Sequence, residues 1–133
     1  MYSEKRKFGN KGEDVACRFL ESKKYKILER NFLRKYGEID IIVEKDSIIH
    51  FIEVKTLSRE IGANSFKSFK NREGYRPEDN IHPKKLERIR RVLQVFLLEN
   101  SLDDRDWEFD VIAVILDENE KVARVKFVKD IVL

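Results

Sequence analysis

Two carboxylates and a lysine on what read as neighbouring strands carry the first chemical possibility in this chain. Glu38-Ile39-Asp40-Ile41-Ile42-Val43-Glu44 and the stretch Ser47 to Lys55 are rich in β-branched residues, and the polar link Lys45-Asp46 suits a tight turn, so together they predict a β-hairpin. With Glu44 facing Ser47, Asp40 stands opposite Phe51. Alternation then puts Phe51, Glu53 and Lys55 on the same side of the sheet as Asp40. Asp40 and Glu53 become diagonal neighbours with Cβ atoms within roughly 7 to 8 Å. Two carboxylates reaching inward from that separation can grip one cation. Ile42 and Ile49 share their face, while Ile39, Ile41, Val43, Ile48, Ile52 and Val54 take the other. A strand pair apolar on both sides needs helices above and below it. Charged Asp40, Glu53 and Lys55 must therefore pair with each other, with a metal or with solvent at a cleft. An ordinary carboxylate-to-lysine ion pair at a sheet rim accounts for the same pattern, and spacing alone leaves both readings open.

The elements that would position these groups can be read along the chain. Asn10 to Lys24 places Val15, Ala16, Phe19 and Leu20 at helical spacing and predicts an amphipathic helix. Glu13 lies on the inward stripe of Ala16 and Leu20 and can face the hairpin; at N3 behind an Asn10 cap it would instead answer the helix dipole. Tyr25 to Phe32 reads as extended. Pro83 suits the first turn of a second helix in which Leu86, Ile89, Leu93, Phe96 and Leu97 repeat up to Asn100. Trp107 to Leu116 and Val122 to Val128 read as strands joined by the turn Asp117-Glu118-Asn119-Glu120, the second of them an edge or hairpin partner. The order is helix, strands, helix, strands. Between about 58 and 80 lies a long polar loop, of a kind that inside a compact domain is usually functional or disordered.

The 133 residues suit one domain over 1–133, and charged and apolar fractions of 40% and 41% supply a core beneath a heavily ionised surface. No apolar run approaches the roughly 18 residues of a membrane span, and Met1 to Lys7 lacks the apolar stretch of an export signal. With Cys17 as the single cysteine, a disulfide framework and a multi-thiolate zinc site are excluded, and a reducing, cytoplasmic setting is expected. A net charge of +3 is too mild to identify an anionic partner, so the placement of the basic residues matters more. Arg59, Lys67, Lys70, Arg72 and Arg76 punctuate the loop among Phe66, Phe69 and Tyr75, and Lys84, Arg88 and Arg91 share one exposed face of the second helix. Such residues can contact phosphates while loop aromatics stack on exposed bases; they equally make solvated faces and self-packed loops. His50 falls on the face opposite Asp40 and reads as a packed or rim histidine, and His82 as the lead into the second helix.

Gly12-Glu13-Asp14-x-Ala16, Arg30-Asn31-Phe32, Gly37-Glu38-Ile39-Asp40-Ile41-Ile42, Phe51-x-Glu53-Val54-Lys55-Thr56 and Phe109-Asp110-Val111-Ile112 occur in this order. Through them the chain resembles the YraN-like family of predicted bacterial endonucleases, and the wider restriction-endonuclease-like, PD-(D/E)xK nuclease superfamily. Ile39 stands where that motif carries proline. The resemblance implies an α/β fold with a mixed central sheet flanked by helices. It implies a metal-dependent endonuclease hydrolysing DNA phosphodiester bonds, with branched or flapped forms among the substrates. Asp40 and Glu53 would then be ligands of Mg²⁺ or Mn²⁺, the Val54 carbonyl a further ligand, Lys55 the partner of the attacking water, and Glu13 a helix-borne acidic residue of the site. Asp110 matches a family position without an implied catalytic role. Lys84, Arg88, Arg91, Lys67 and Lys70 are the expected nucleic-acid contacts, and cutting both strands with one centre per chain would call for a homodimer. A non-catalytic nucleic-acid-binding or adaptor module on the same fold is the alternative.

Overall fold

β-branched and aromatic runs separated by polar turns form a five-stranded sheet in the order β1-β2-β3-β4-β5. The structure is a computed structural model that describes residues 4–58, 82–117, 119 and 121–133. Its strands are β1 (Lys26–Arg34), β2 (Gly37–Lys45), β3 (Ile48–Ser58), β4 (Trp107–Leu116) and β5 (Val122–Val128). The β3–β4 pair is parallel and the other three pairs are antiparallel, so the sheet is mixed. Helices α1 (Glu4–Ser22) and α2 (Pro83–Glu99) cover its two faces. This is the α/β architecture expected from the sequence, and it is consistent with a restriction-endonuclease-like fold. Among the described residues, no helix is long and apolar enough to cross a membrane.

Each helix buries the stripe its spacing dictates. Val15, Ala16, Cys17 and Leu20 of α1 pack on Ile41, Val43, Ile52, Ile112 and Val114. Ile89, Val92, Leu93, Phe96 and Leu97 of α2 pack on Ile42, Ile49, Phe51, Phe109 and Val111. The His82 side chain caps α2 by accepting the Lys84 N–H at 3.1 Å, and Pro83 fills the first helical position, where its missing N–H costs nothing.

Three details differ from the sequence reading. Helix α1 starts at Glu4, so Asn10 lies inside it and does not cap it, and Glu13 is mid-helix. The β2–β3 turn is Asp46-Ser47, both at positive φ (52° and 68°), which is the type I′ geometry that matches strand twist. Neither residue is glycine, which hid the turn. The pairing consequently shifts by two residues, with Phe51 opposite Ile42 and not opposite Asp40. A two-residue shift leaves every side chain on its face. Finally, Ile39 packs with α2 and not with Ile41 and Val43 against α1.

Gly12 seats α1 on β3. A Cβ there would lie 1.9 Å from Thr56 Oγ1 and 2.8 Å from Thr56 Cβ. Gly12→Ala is expected to destabilise the protein by about 1–3 kcal/mol through overpacking, despite the roughly 1 kcal/mol that alanine gains in a helix. Urea unfolding checks this, and adding Thr56→Gly recovers part of the loss; an unchanged midpoint would refute the close seat.

Candidate active site

The β2–β3 ladder runs from Lys45 opposite Ile48 to Ile41 opposite Ile52. Asp40 and Glu53 are the next residue on each strand beyond its last pair, and the two carboxylates interact electrostatically there. Asp40 Oδ2 accepts the Val54 N–H at 2.8 Å, a side chain taking a role that usually falls to backbone. In an extended strand a residue's N–H and C=O point to the same side, so the Val54 carbonyl also opens toward β2.

Asp40 sits where the strands change face. Arg30 and its partner Ile41 face α1, yet Phe32 and its partner Ile39, two residues along, face α2. Regular strands keep such residues on one side. Asn31 supplies the break with φ 51°, a left-handed conformation that asparagine tolerates. This switch brings Asp40 within electrostatic reach of Glu13 on one helix and Lys85 on the other.

The electrostatics follow from that placement. Burial, with the charge of Glu53 next, pushes Asp40 up to about 8; the Val54 N–H bond and the Lys85 ammonium pull it back, and Glu13 pushes further up. Glu53 is buried, and its Oε1 receives the Lys85 Nζ at 2.5 Å. Glu13 is raised chiefly by burial, against the Asn31 Nδ2 hydrogen bond at 2.9 Å and the Arg30 guanidinium at 3.9 Å. Arg30 also pairs with Asp14 at 2.9 Å. The Arg30-Asn31-Phe32 triplet thus has a physical reading: two polar residues hold the acidic turn of α1 and Phe32 enters the opposite core.

Lys55 follows Glu53 by two residues on the same face and is half-buried. Among the described residues its ammonium has no hydrogen-bond or ion-pair partner. An open cavity of about 330 Å³ on α1 is lined by Lys5, Arg6, Gly9, Asn10 and Glu13, the last the one acidic residue of the site that reaches it. Lys84, Arg88 and Arg91 are exposed on α2; Arg91 pairs with Glu87 at 3.2 Å and lies 5.2 Å from the Tyr36 ring. Lys67 and Lys70, with the loop aromatics, lie outside the described residues.

Lys85 escaped the sequence reading, although a signal was there. It precedes Ile89, Val92 and Phe96 by four, seven and eleven residues, so it is a lysine on the apolar stripe of α2.

A second polar group lies on the α1 face. Buried His50 and Asp110 meet at 2.8 Å (Nδ1 to Oδ2), Glu108 Oε1 lies 3.7 Å from the same nitrogen, and Asp110 Oδ1 accepts the Asp130 N–H at 2.8 Å. Among the described residues this is the one trio of ligand-type side chains with atoms all within 4.8 Å of one another, and it is able to hold a metal ion once Nδ1 is unprotonated. Burial and the neighbouring Asp110 raise Glu108.

The profile of the uncharacterised protein family UPF0102 matches residues 12–114, a span that includes Glu13, Asp40, Glu53, Lys55, Lys85 and Asp110. A UPF0102 protein of Sulfurihydrogenibium sp. is 40% identical over 103 residues, covering 77% of this chain and 78% of that protein. One from Campylobacter jejuni is 38% identical over 103 residues, covering 77% and 79%. One from Campylobacter lari is 32% identical over 120 residues, covering 90% and 94%. With the match running from the acidic turn of α1 through β4, this chain belongs to UPF0102, the YraN-like family.

Proposed function

We propose that this protein is a divalent-metal-dependent endonuclease that hydrolyses DNA phosphodiester bonds, with branched or flapped DNA among its substrates. The observation that carries the reading is the convergence of Asp40 with buried Glu53 where the β2–β3 ladder ends. The donor set fits a hard divalent cation: two interacting carboxylates, a backbone carbonyl opening toward β2, and an ammonium already resting on one carboxylate. Mg²⁺ or Mn²⁺ would be held by Asp40, Glu53 and the Val54 carbonyl.

A cation there supplies charge neutralisation at phosphate and a more acidic water. Asp40, held against the Val54 N–H, must release its proton to serve as a ligand. Lys55, on the Glu53 face, donates hydrogen bonds to the attacking water or to the phosphate oxygens as charge builds. Glu13, fixed by Asn31, completes the acidic wall from α1. Lys84, Arg88 and Arg91 offer phosphate contacts on α2, joined in the proposal by Lys67 and Lys70. Cleavage of both strands would need a second copy of the chain.

Incubation with single-stranded, duplex, flapped and four-way-junction DNA in Mg²⁺, Mn²⁺ or EDTA tests this. Scission in metal and none in EDTA is expected, with Lys55→Ala slower by about 10²-fold. Binding without scission, undiminished by EDTA, would replace the nuclease with a non-catalytic binding or adaptor module.

A further inference from the structure

Lys85 reaches from the first turn of α2 to a carboxylate that the hairpin has buried. Its side chain is 42% exposed and that of Glu53 is 8% exposed, so the ammonium spans the boundary between solvent and site. The apolar stripe below it, Ile89, Val92 and Phe96, is buried and fixes the helix against the sheet. The ammonium therefore starts from a set point, while its four-carbon stem remains free to swing. Lys84 and Arg88 lie on the exposed side toward which it would swing.

Charge explains why it rests on Glu53. The Glu53 carboxylate is buried beside Asp40, and one ammonium offsets part of the cost of keeping it there. A divalent cation between the same carboxylates would do this better and would repel the ammonium. The displaced ammonium would then need an anion, and on the solvent side the anion with matching chemistry is a phosphate of a bound strand.

Resting on the metal-site reading above, we propose that Lys85 is a resident counter-ion of the Asp40–Glu53 pair, which yields Glu53 to the divalent cation and passes to a phosphate of the nucleic acid. Metal and strand thereby favour one another: each removes the partner that competes for the other's place. Lys85 is thus a competitor for the metal and a contact for the strand, with opposite signs in the two equilibria. A merely structural lysine would weaken both when removed.

The test needs no cleavage. Mn²⁺ affinity is measured calorimetrically without DNA for the parent, Lys85→Met, Lys85→Gln and Lys85→Arg. The two neutral variants are expected to bind Mn²⁺ about fivefold to tenfold more tightly, as removal of a nearby positive charge requires, and the arginine variant within about twofold of the parent. Placing Glu53→Gln beneath Lys85→Met should erase the gain. With Ca²⁺ present, affinity for a short single-stranded oligonucleotide should fall in both neutral variants, and the salt dependence should lose about one phosphate contact. Mn²⁺ binding that is unchanged or weaker in both neutral variants would overturn the proposal, as would oligonucleotide binding that keeps its full salt slope. If both arms come out as expected while no DNA is cut under any condition, the counter-ion role stands and the nuclease reading fails.

Discussion

On the nuclease reading, Asp40→Asn is expected to remove metal-dependent strand scission, by a factor on the order of 10³ or more, and to make the metal-free protein more stable above neutral pH. The substitution is isosteric, and the amide oxygen can still accept the Val54 N–H, so the end of the β2–β3 ladder keeps its geometry. What it removes is the charge. In the folded chain, burial and Glu53 raise Asp40 to about 8, whereas in the unfolded chain it titrates near the ordinary aspartate value of 3.8. Between those values the folded state holds more protons than the unfolded state, and stability falls as pH rises. The contribution is intact below the unfolded value and is lost by the time pH has passed through the folded one. Asparagine has no such loss. The two proteins should therefore have similar urea midpoints near pH 4 and diverge up to pH 8, with the variant ahead by about 1–3 kcal/mol at pH 9 in EDTA. Saturating Mn²⁺ should reverse the order, because only the parent gains binding free energy. Parallel pH profiles for the two proteins would contradict the buried-pair account, and retained scission would remove Asp40 from the catalytic machinery.

Much of this site was legible because a strand's period is short and strict. The alternation that puts Glu53 and Lys55 on one side is unaffected by an error of two residues in the hairpin register, since only an odd shift moves a side chain across the sheet, whereas Asp40 falls at the break in β2. Helix α2 was readable from Pro83 and its apolar stripe, and β4 and β5 from their β-branched runs and the polar turn between them. The start of α1 was not, because Glu4 to Lys7 carries charge without apolar periodicity and Gly9 and Asn10 read as a boundary.

What alternation cannot express is a strand that changes face. The break at Asn31 and Asp40 sends Ile39 to the α2 core and lets one carboxylate answer both helices. The hint in the sequence was the asparagine within β1, a residue depleted in strands and at ease with positive φ. Lys85 was hidden differently. The basic residues Lys84, Arg88 and Arg91 make one exposed set on α2, whereas Lys85 lies on the buried stripe, where a lone lysine stands out less than a charged face. His50 was placed on the correct face, opposite Glu53, but its partner Asp110 is 60 residues away and meets it only through the parallel β3–β4 pairing.

That pairing sets up the second large effect, Asp110→Ala, which is expected to cost about 3–5 kcal/mol. Asp110 is fully buried, and its two oxygens answer His50 Nδ1 and the Asp130 N–H, each at 2.8 Å. Removing it leaves the Asp130 N–H without its partner and a cavity beside His50, whose edge-to-face contact with Tyr25 has a centroid distance of 5.1 Å. The Ile131 N–H donates to the Phe109 carbonyl at 2.7 Å next to the lost bond, so hydrogen exchange should accelerate at Asp130 and Ile131 before it does in α1. Glu108 already lies 3.7 Å from Nδ1 and can take up the histidine, which puts the loss toward the lower end of the range. Asp110→Asn should cost less, because it keeps the volume and one acceptor. The same variant separates a hydrogen-bonded core from a metal site. If the contacts among His50, Glu108 and Asp110 serve packing, added Zn²⁺ or Mn²⁺ leaves the parent's remaining unfolding free energy unchanged once Asp40→Asn has silenced the other site. If the trio holds a cation, the Asp40→Asn protein is still stabilised by metal, and Asp110→Asn ends that response.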